Sequence, residues 1–304
     1  IPFYTSYDDM LIKEEIDVVN ILTPSGHHAE CAIDIIKKYK KHIICEKPMA
    51  LKLDDADRMI RVCDENGVRL FVVKQNRYNL PVQKLKDAID QGKFGKLVLG
   101  TVRVRWSRNQ SYYDQDEWRG TWKLDGGVLT NQASHHIDLL EWLFGEPVSV
   151  MAKMGTFLSN IEVEDTAAAI IKFKSGALGI VEATTATRPK DLEGSISVLG
   201  EKGSVVIGGF AVNKMITWEF EGQSEEEKQH VLSSFSENPP NVYGFGHTRY
   251  LENVIHCIKT KTKALVDGLE GRKSLELINA FYESAETERE IFLRFVARKS
   301  KLGE

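Results

Sequence analysis

The sequence predicts an α/β protein in two parts. An N-terminally incomplete parallel-sheet unit spans residues 1–76, and an α+β unit with a large, mostly antiparallel open sheet spans residues 77–304. Three observations carry this. Apolar β-branched runs alternate with amphipathic helical segments up to residue 76. Short alternating strands separated by turn signals dominate from residue 97 onward. A chain of 304 residues, 42% hydrophobic and 28% charged, has material for two cores and no signature of disorder.

After a helix-like segment at Tyr7-Asp8-Asp9-Met10-Leu11-Ile12, the run Asp17-Val18-Val19-Asn20-Ile21-Leu22-Thr23-Pro24 reads as a buried parallel strand. Ala29, Ala32, Ile33 and Ile36 share one face of a helix over 28–40, and His42-Ile43-Ile44-Cys45 is the next strand. A helix over 54–66 stops at Gly67, and a strand over 69–73 completes β-α-β-α-β, half of a dinucleotide-binding (Rossmann) fold. The other half is absent. Gly126-Gly127 and Gly208-Gly209 are the only adjacent glycine pairs, and neither opens a G-x-G-x-x-G turn between a strand and a helix.

Beyond the junction at 76–81, Val82, Leu85, Ala88 and Ile89 mark a helix over 81–91 that ends at Gly92. Strands follow over 97–106, 149–157, 166–173, 178–185, 194–199, 204–207 and 214–220, with hairpin signals at Lys174-Ser175-Gly176 and Glu201-Lys202-Gly203. Helices over 131–143, 250–259 and 274–294 complete the unit, and 221–229 reads as a charged, exposed loop. The alternation Ala167, Ala169, Ile171, Phe173 offers more apolar surface than these helices cover. Self-association through the sheet, as a homodimer or homotetramer, is therefore expected.

The net charge of -4 supplies no basic field, which argues against a nucleic-acid partner. No apolar run approaches the roughly 18 residues of a membrane span, and no basic and apolar leader opens the chain. Cys31, Cys45, Cys63 and Cys257 lack C-x-x-C spacing and read as buried thiols of a reducing compartment, so the cytoplasm is expected.

Polar stretches stand where each parallel strand stops: Leu22-Thr23-Pro24-Ser25-Gly26-His27-His28, Glu46-Lys47-Pro48 and Lys74-Gln75-Asn76-Arg77. Those ends form the ligand crevice of an open parallel sheet. Pro48 fixes its own φ and bars Lys47 from helical geometry, so the ammonium stands on a rigid corner. Taken singly, each stretch is ordinary turn chemistry, with His28 as a cap; three together predict a shared cleft.

On the helix over 131–143, Asn131, His135, Asp138 and Trp142 form one stripe, so that Asp138 or Asn131 orients the His135 ring. An imidazole titrates near neutrality, which makes His135 the candidate base, whereas His136 points elsewhere and reads as core. No H-E-x-x-H spacing indicates a metal. Tyr112, Tyr113, Trp118, Arg119 and Trp122 form an aromatic and cationic cluster suited to a sugar face, a uracil ring or a carboxylate. The alternative is a loop that folds its aromatics onto the sheet. Arg249 is a further candidate for a diphosphate or carboxylate, and Arg77 could serve either cofactor or substrate.

Thr23-Pro24 with His28, Glu46-Lys47-Pro48, Asn76-Arg77 and the segment from Gly126-Gly127 through His135 to Asp138 resemble the Gfo/Idh/MocA family of NAD(P)-dependent oxidoreductases, in order and spacing over nearly the whole chain. Gln75-Asn76-Arg77-Tyr78-Asn79, Trp118-Arg119-Gly120-Thr121-Trp122 and Asn131-Gln132-Ala133-Ser134-His135-His136 are similar to the branch that oxidises the 3-hydroxyl of UDP-N-acetylglucosaminuronic acid in surface-polysaccharide synthesis. The resemblance implies NAD, with NADP also open, its nicotinamide lying across Leu22, Thr23, Pro24, His28, Glu46, Lys47 and Asn76. It further implies a sugar or nucleotide sugar met by Arg77, Trp118, Arg119, Asn131, Gln132, His135 and Arg249, with Lys47 and His135 catalytic.

Two departures bear on this. The family often has Asp where this chain has Asn131, so orientation falls to Asp138. Its glycine-rich turn and ribose-reading residue would lie upstream of Ile1, so a segment of roughly 50 residues is expected to be unrepresented, and the chain as given is expected to bind dinucleotide poorly. In the implied reaction His135 takes the hydroxyl proton while Lys47 stabilises the developing alkoxide, or Lys47 is itself the base. The rival readings are a dehydrogenase of a free polyol such as an inositol, and a non-catalytic dimerisation or sensing module.

Overall fold

The computed structural model describes residues 2–237, 245–293 and 301–303; Ile1, Tyr243, Gly244 and Arg294 lie outside them. The first unit runs α1 (Tyr7–Lys13), β1 (Val18–Ile21), α2 (His28–Tyr39), β2 (His42–Cys45), α3 (Leu53–Asn66), β3 (Leu70–Val72). Next come α4 (Leu80–Asp90), β4 (Leu97–Arg105), α5 (Gln110–Tyr113), α6 (Ser134–Phe144), β5 (Pro147–Gly155), β6 (Thr166–Phe173) and β7 (Leu178–Thr184). The chain continues with β8 (Glu193–Gly200), β9 (Gly203–Gly208), β10 (Lys214–Phe220), α7 (Glu225–Ser234), α8 (Gly246–Thr260), α9 (Gly268–Thr287) and β11 (Ile291–Phe292).

The β-branched runs of the first unit form a 3-stranded parallel sheet in the order β1-β2-β3, with α2 and α3 as crossovers. The helix α3 stops where Gly67 turns left-handed at φ +66, a backbone that L side chains resist. Ala32, Ile36, Ile43, Met59 and Phe71 are fully buried in this unit's core. Residues from the far end of the chain complete it: Tyr250, Val254 and Cys257 of α8 and Leu275 of α9.

The second sheet has 8 strands in the order β10-β9-β8-β4-β7-β6-β5-β11, antiparallel throughout except at the β4–β7 pair. Its inner face is covered within the chain. Ala167, Ala169, Ile171 and Phe173 share a core with Leu140 and Phe144 of α6 and with Leu277, Ile278 and Phe281 of α9. The expectation that these four residues lack cover is thereby corrected, because α9 at 20 residues is long enough to span the sheet. The opposite face is the uncovered one: Ile170 stands in register with Met151 and Ile180, and these are 55%, 50% and 38% exposed.

Two further expectations change. The helix predicted over 131–143 begins only at Ser134, after a run of turns from Gly126 that places Asn131 outside it. The loop predicted over 221–229 contains the start of α7, capped by Ser224, which accepts from Glu227 N at 3.2 Å. Glu225, Glu226 and Glu227 fill its first turn, where the helix dipole favours negative charge, and only Val231 is buried, so the apolar periodicity that marks most helices is missing.

Glu141 on α6 is 9% exposed, and burial, with Asp138 close by, pushes its pKa up to about 8. In the unfolded chain a glutamate ionises near about 4.3, so as pH rises from there towards about 8 the unfolded chain releases the proton first and stability falls. Glu141→Gln is expected to match wild type at about pH 4 and to gain on it progressively, by roughly 1–3 kcal/mol at pH 8. Thermal unfolding followed against pH checks this; parallel curves for the two proteins would refute it.

Candidate active site

Lys47 stands at the carboxyl end of β2, next to a cis Lys47–Pro48 peptide. The loop after β1 is tied to it by His28, which is buried with Nδ1 2.8 Å from Pro48 O and Nε2 2.8 Å from Thr23 O. Burial lowers the pKa of His28 while the two carbonyls pull it up. Both ring nitrogens are thereby engaged within the protein, and His28 ties the loop after β1 to the turn after β2. Leu22, by contrast, is 71% exposed at the end of β1, and Glu46 is partly exposed and accepts from Lys47 N at 3.1 Å.

The Lys47 ammonium crosses to the second unit, where Nζ donates to Asn131 O at 2.6 Å and faces Asn131 Oδ1 at 3.4 Å. Burial lowers the Lys47 pKa, and the carboxylates of Glu46 and Asp125 oppose this. His135 lies in the first turn of α6, with Nε2 3.1 Å from the amide nitrogen of Gln75, so Gln75 donates and Nε2 accepts. Burial, then the nearby charges of Lys47 and Lys74, hold the His135 pKa well below the usual imidazole value. His135 Nδ1 and Gln75 Oε1 are buried without a partner. Two such unfilled polar atoms beside a partly exposed lysine and glutamate fit a bound polar ligand, the amide or hydroxyl of a nicotinamide and an alcohol included.

The expectation that Asp138 or Asn131 orients His135 is corrected. Asp138 accepts from Arg77 Nε at 2.8 Å and from Arg77 Nη2 at 2.9 Å, with Lys74 Nζ 3.8 Å away. Burial alone would raise its pKa, but these two cations keep it below the usual carboxylate range. Asn131 donates instead to Asp125 Oδ1 at 2.5 Å. Gln75, which the sequence left as one residue of a polar stretch, is the group that meets the ring.

Arg77 is no free substrate ligand either: it is 2% exposed, paired with Asp138, 3.1 Å from Glu270 Oε2 and 5.1 Å from the centroid of the Trp142 ring. Asn76 and Gln132 are buried beside it and before α6 respectively. Arg249 is paired bidentately with Glu237 and also donates to Tyr78 O at 3.2 Å. Part of the aromatic cluster is a stack, with the Arg119 guanidinium 4.6 Å over Tyr112 and 4.8 Å over Trp118 and its Nε bonded to Asp116 at 2.8 Å, whereas Trp122 packs on Tyr282 with centroids 5.5 Å apart. Its loop reaches the site through Gly120 N, which donates to Asp125 Oδ2 at 2.8 Å.

A model of the Gfo/Idh/MocA oxidoreductase family, NAD-binding Rossmann fold, matches residues 1–74, and one of the same family's C-terminal alpha/beta domain matches residues 86–293. Among solved structures, the WlbA dehydrogenase from Bordetella pertussis in complex with NADH and UDP-GlcNAcA is 44% identical, with a TM-score of 0.89 over 96% of this chain and 84% of that one. The WlbA dehydrogenase from Chromobacterium violaceum, in complex with the same two molecules, is 44% identical with a TM-score of 0.89 over 96% of this chain and 82% of its own. Among curated proteins, the myo-inositol 2-dehydrogenase of Thermotoga maritima is 27% identical over 298 residues, 96% of this chain and 84% of the relative.

The Arg77–Asp138 pair sets where α6 sits, and breaking a buried pair strands a charge at a cost of about 3–5 kcal/mol. Arg77→Ala and Asp138→Asn are each expected to lose that much in denaturant unfolding. A loss under 1 kcal/mol in either would show that the pair does not hold the junction.

Proposed function

Since the chain belongs to the Gfo/Idh/MocA family of oxidoreductases, we propose that it oxidises the 3-hydroxyl of a nucleotide-sugar acid, UDP-N-acetylglucosaminuronic acid, with NAD. The observation that carries this reading is that Lys47 and His135, from separate units, come near enough at the carboxyl ends of the parallel strands for the charge of Lys47 to lower the His135 pKa. The likeness to two dehydrogenases that hold NADH and UDP-GlcNAcA supports the choice of substrate. NAD would be held at its nicotinamide end by Leu22, Thr23, Pro24, Glu46 and Asn76, and it supplies the acceptor for the hydride.

The protein's own part is to remove a proton and to bear charge. His135 is neutral at pH 7, and with Nε2 accepting from Gln75 its proton sits on Nδ1, so the lone pair that takes the hydroxyl proton is that of Nε2, where the alcohol replaces the Gln75 amide. So depressed a base is weak, and Lys47 compensates for that. An ammonium beside the alcohol oxygen stabilises the alkoxide and lowers the alcohol's own pKa towards that of the ring. Gln75 holds the ring and Asn131 the ammonium in place before the alcohol arrives, which limits the reorganisation to exchange of the Gln75 bond at Nε2 for the alcohol. The aromatic and arginine stack at Tyr112, Trp118 and Arg119 offers a face for a sugar or uracil ring.

In the natural protein, Lys47→Met and His135→Asn are each expected to lower kcat by about 10²–10⁴-fold while KM for the nucleotide sugar moves a few-fold. Full turnover in both would remove the assignment. The likeness to an inositol dehydrogenase favours a second reading, a free polyol as substrate. A kcat/KM for UDP-N-acetylglucosaminuronic acid at least about 100-fold above that for myo-inositol is expected, since loss of even one or two contacts gives about that ratio; the reverse order would establish the polyol reading.

We also propose that the outer face of the large sheet joins two copies of this chain. Met151, Ile170 and Ile180 form an exposed apolar ladder across three neighbouring strands, bordered by Arg103, Arg105, Glu182 and Glu193 in mutual ion pairs. Mass in solution is expected to be a multiple of the chain mass and to fall to that of one chain in Ile170→Glu. A wild-type monomer would end this reading.

A further inference from the structure

Behind Asn131 lies a carboxylate that the mechanism above does not use. Asp125 is 2% exposed; its Oδ2 accepts from Gly120 N at 2.8 Å, and its Oδ1 accepts from Asn131 Nδ2 at 2.5 Å. Those two bonds fix the Asn131 amide with its nitrogen towards Asp125, which leaves Oδ1 facing Lys47 Nζ at 3.4 Å while the backbone carbonyl of the same residue holds that ammonium at 2.6 Å. An acid, an amide and an ammonium thus stand in one hydrogen-bonded line.

We propose that Asp125 is the counter-ion and positioning residue of Lys47, acting through Asn131. Two physical features support it. An amide cannot neutralise an ammonium, so the negative charge that Lys47 needs on the side of the second unit comes from the next carboxylate along the line. With the carboxylate one side chain back, Asn131 takes two of the three N–H groups of the ammonium, and the third is left for an alcohol oxygen.

The titratable and charged groups that face Lys47 are Glu46 from its own strand end, Lys74 from the end of β3, Asp125 from the 120–126 turn and His135 from α6; His247 of α8 lies 4.0 Å from Glu46. Glu46 and Asp125 favour the ammonium and Lys74 opposes it. Burial pushes the Asp125 pKa up to about 6, which leaves it ionised at and above pH 7. Its negative charge is therefore present where Lys47 must stay charged.

The proposal rests on Lys47 acting in the reaction, but its test can be read without substrate. Limiting acetic anhydride acylates only the free amine, so the rate of labelling at Lys47, mapped by peptide mass spectrometry against pH, reports where that amine loses its proton. In Asp125→Asn the labelling midpoint is expected to fall by about one pH unit, the low end of what a nearby charge gives. The introduced amide still accepts from Gly120 N. In D125N/N131D the acid is moved to the other end of the same hydrogen bond, and the midpoint is expected to return to the wild-type value or rise above it.

An unchanged midpoint in Asp125→Asn, or the same fall in the double variant, overturns the proposal, because a purely structural role at Gly120 would not respond to the swap. Should the single variant not fold, the double variant is compared with wild type directly: a midpoint at or above wild type supports the proposal, and one below overturns it. Turnover supplies the second readout. In Asp125→Asn kcat is expected to fall at least tenfold with KM within threefold, and to recover in the double variant, the split that marks a group acting on the transition state. A midpoint that moves in an enzyme whose turnover ignores Lys47→Met would sink the function proposed above and leave the Asp125–Lys47 coupling standing.

Discussion

Arg77 meeting Asp138 is the contact on which the rest of the molecule turns. The two come from the turn after β3 and from the second turn of α6, and both are 98–99% shielded from solvent in the folded chain, at 2% and 1% exposure. A fork of two parallel N–H···O bonds fixes rotation as well as distance, which a single lysine contact would not do. On an α-helix, residue i+3 lies one turn above residue i, so locking Asp138 also locks the azimuth of His135. Gln75, two residues before Arg77 in the same 3-10 turn, is thereby placed against the imidazole it orients. Lys74 extends the lock by donating to Ser274 Oγ at 2.8 Å, which carries the junction into α9.

Several buried acids stand near this junction, and they divide by whether a cation is bonded to them. Asp138 has two cations and stays below its usual range, whereas Glu141, one turn further along α6, has no bonded cation and is pushed up to about 8. Asp125 lies between these cases: burial raises it to about 6, and the bonds from Gly120 and Asn131 restrain it. Burial penalises every ion, and a bonded partner decides how much of the penalty remains. That division separates acids that hold the fold from those with ionisation left to respond to a ligand or to pH. The bases follow the same rule. Lys47 and His135 are both shifted towards their neutral forms, and the ammonium of one helps to keep the other uncharged.

Much of this was legible in the residues because the signals are local. Strand and helix periods placed the ends of the three parallel strands, and Pro48 marked Lys47 as a residue held outside helical geometry. The helix period likewise set His135 and Asp138 on one stripe. It could not say that Arg77, 61 residues earlier, would take Asp138, because a charge-assisted bidentate contact with a distant partner outcompetes a local bond to a neutral ring. Nothing in Thr130 to Ala133 breaks a helix, so the sequence pattern extends one over Asn131; the turns there close on tertiary contacts such as Thr130 with Tyr282. Asp125 went unmarked since Asp-Gly-Gly reads as turn chemistry, and only the folded chain brings its carboxylate behind Lys47. Which face of the large sheet is left uncovered was also beyond reach. Alternation gives two faces but does not say to which one α9 returns.

That return has a mechanical consequence. One continuous helix, α9, touches both cores: Leu275 belongs to the first, and Leu277, Ile278 and Phe281 to the second. Its first turns lie so close to the parallel sheet that a Cβ on Gly271 would overlap Val72, so the helix is seated on β3 at backbone contact and cannot slide without unpacking. A rigid element shared by the two units in this way resists a hinge between them, and its packing helps to set the separation of Lys47 from α6. The turn from Gly120 to Asp125, which meets Lys47 through Asn131, is tied down likewise, by the Asp125 carboxylate and by backbone bonds from Gly26 N to Leu124 O at 3.1 Å and from Glu162 N to Gly120 O at 3.0 Å.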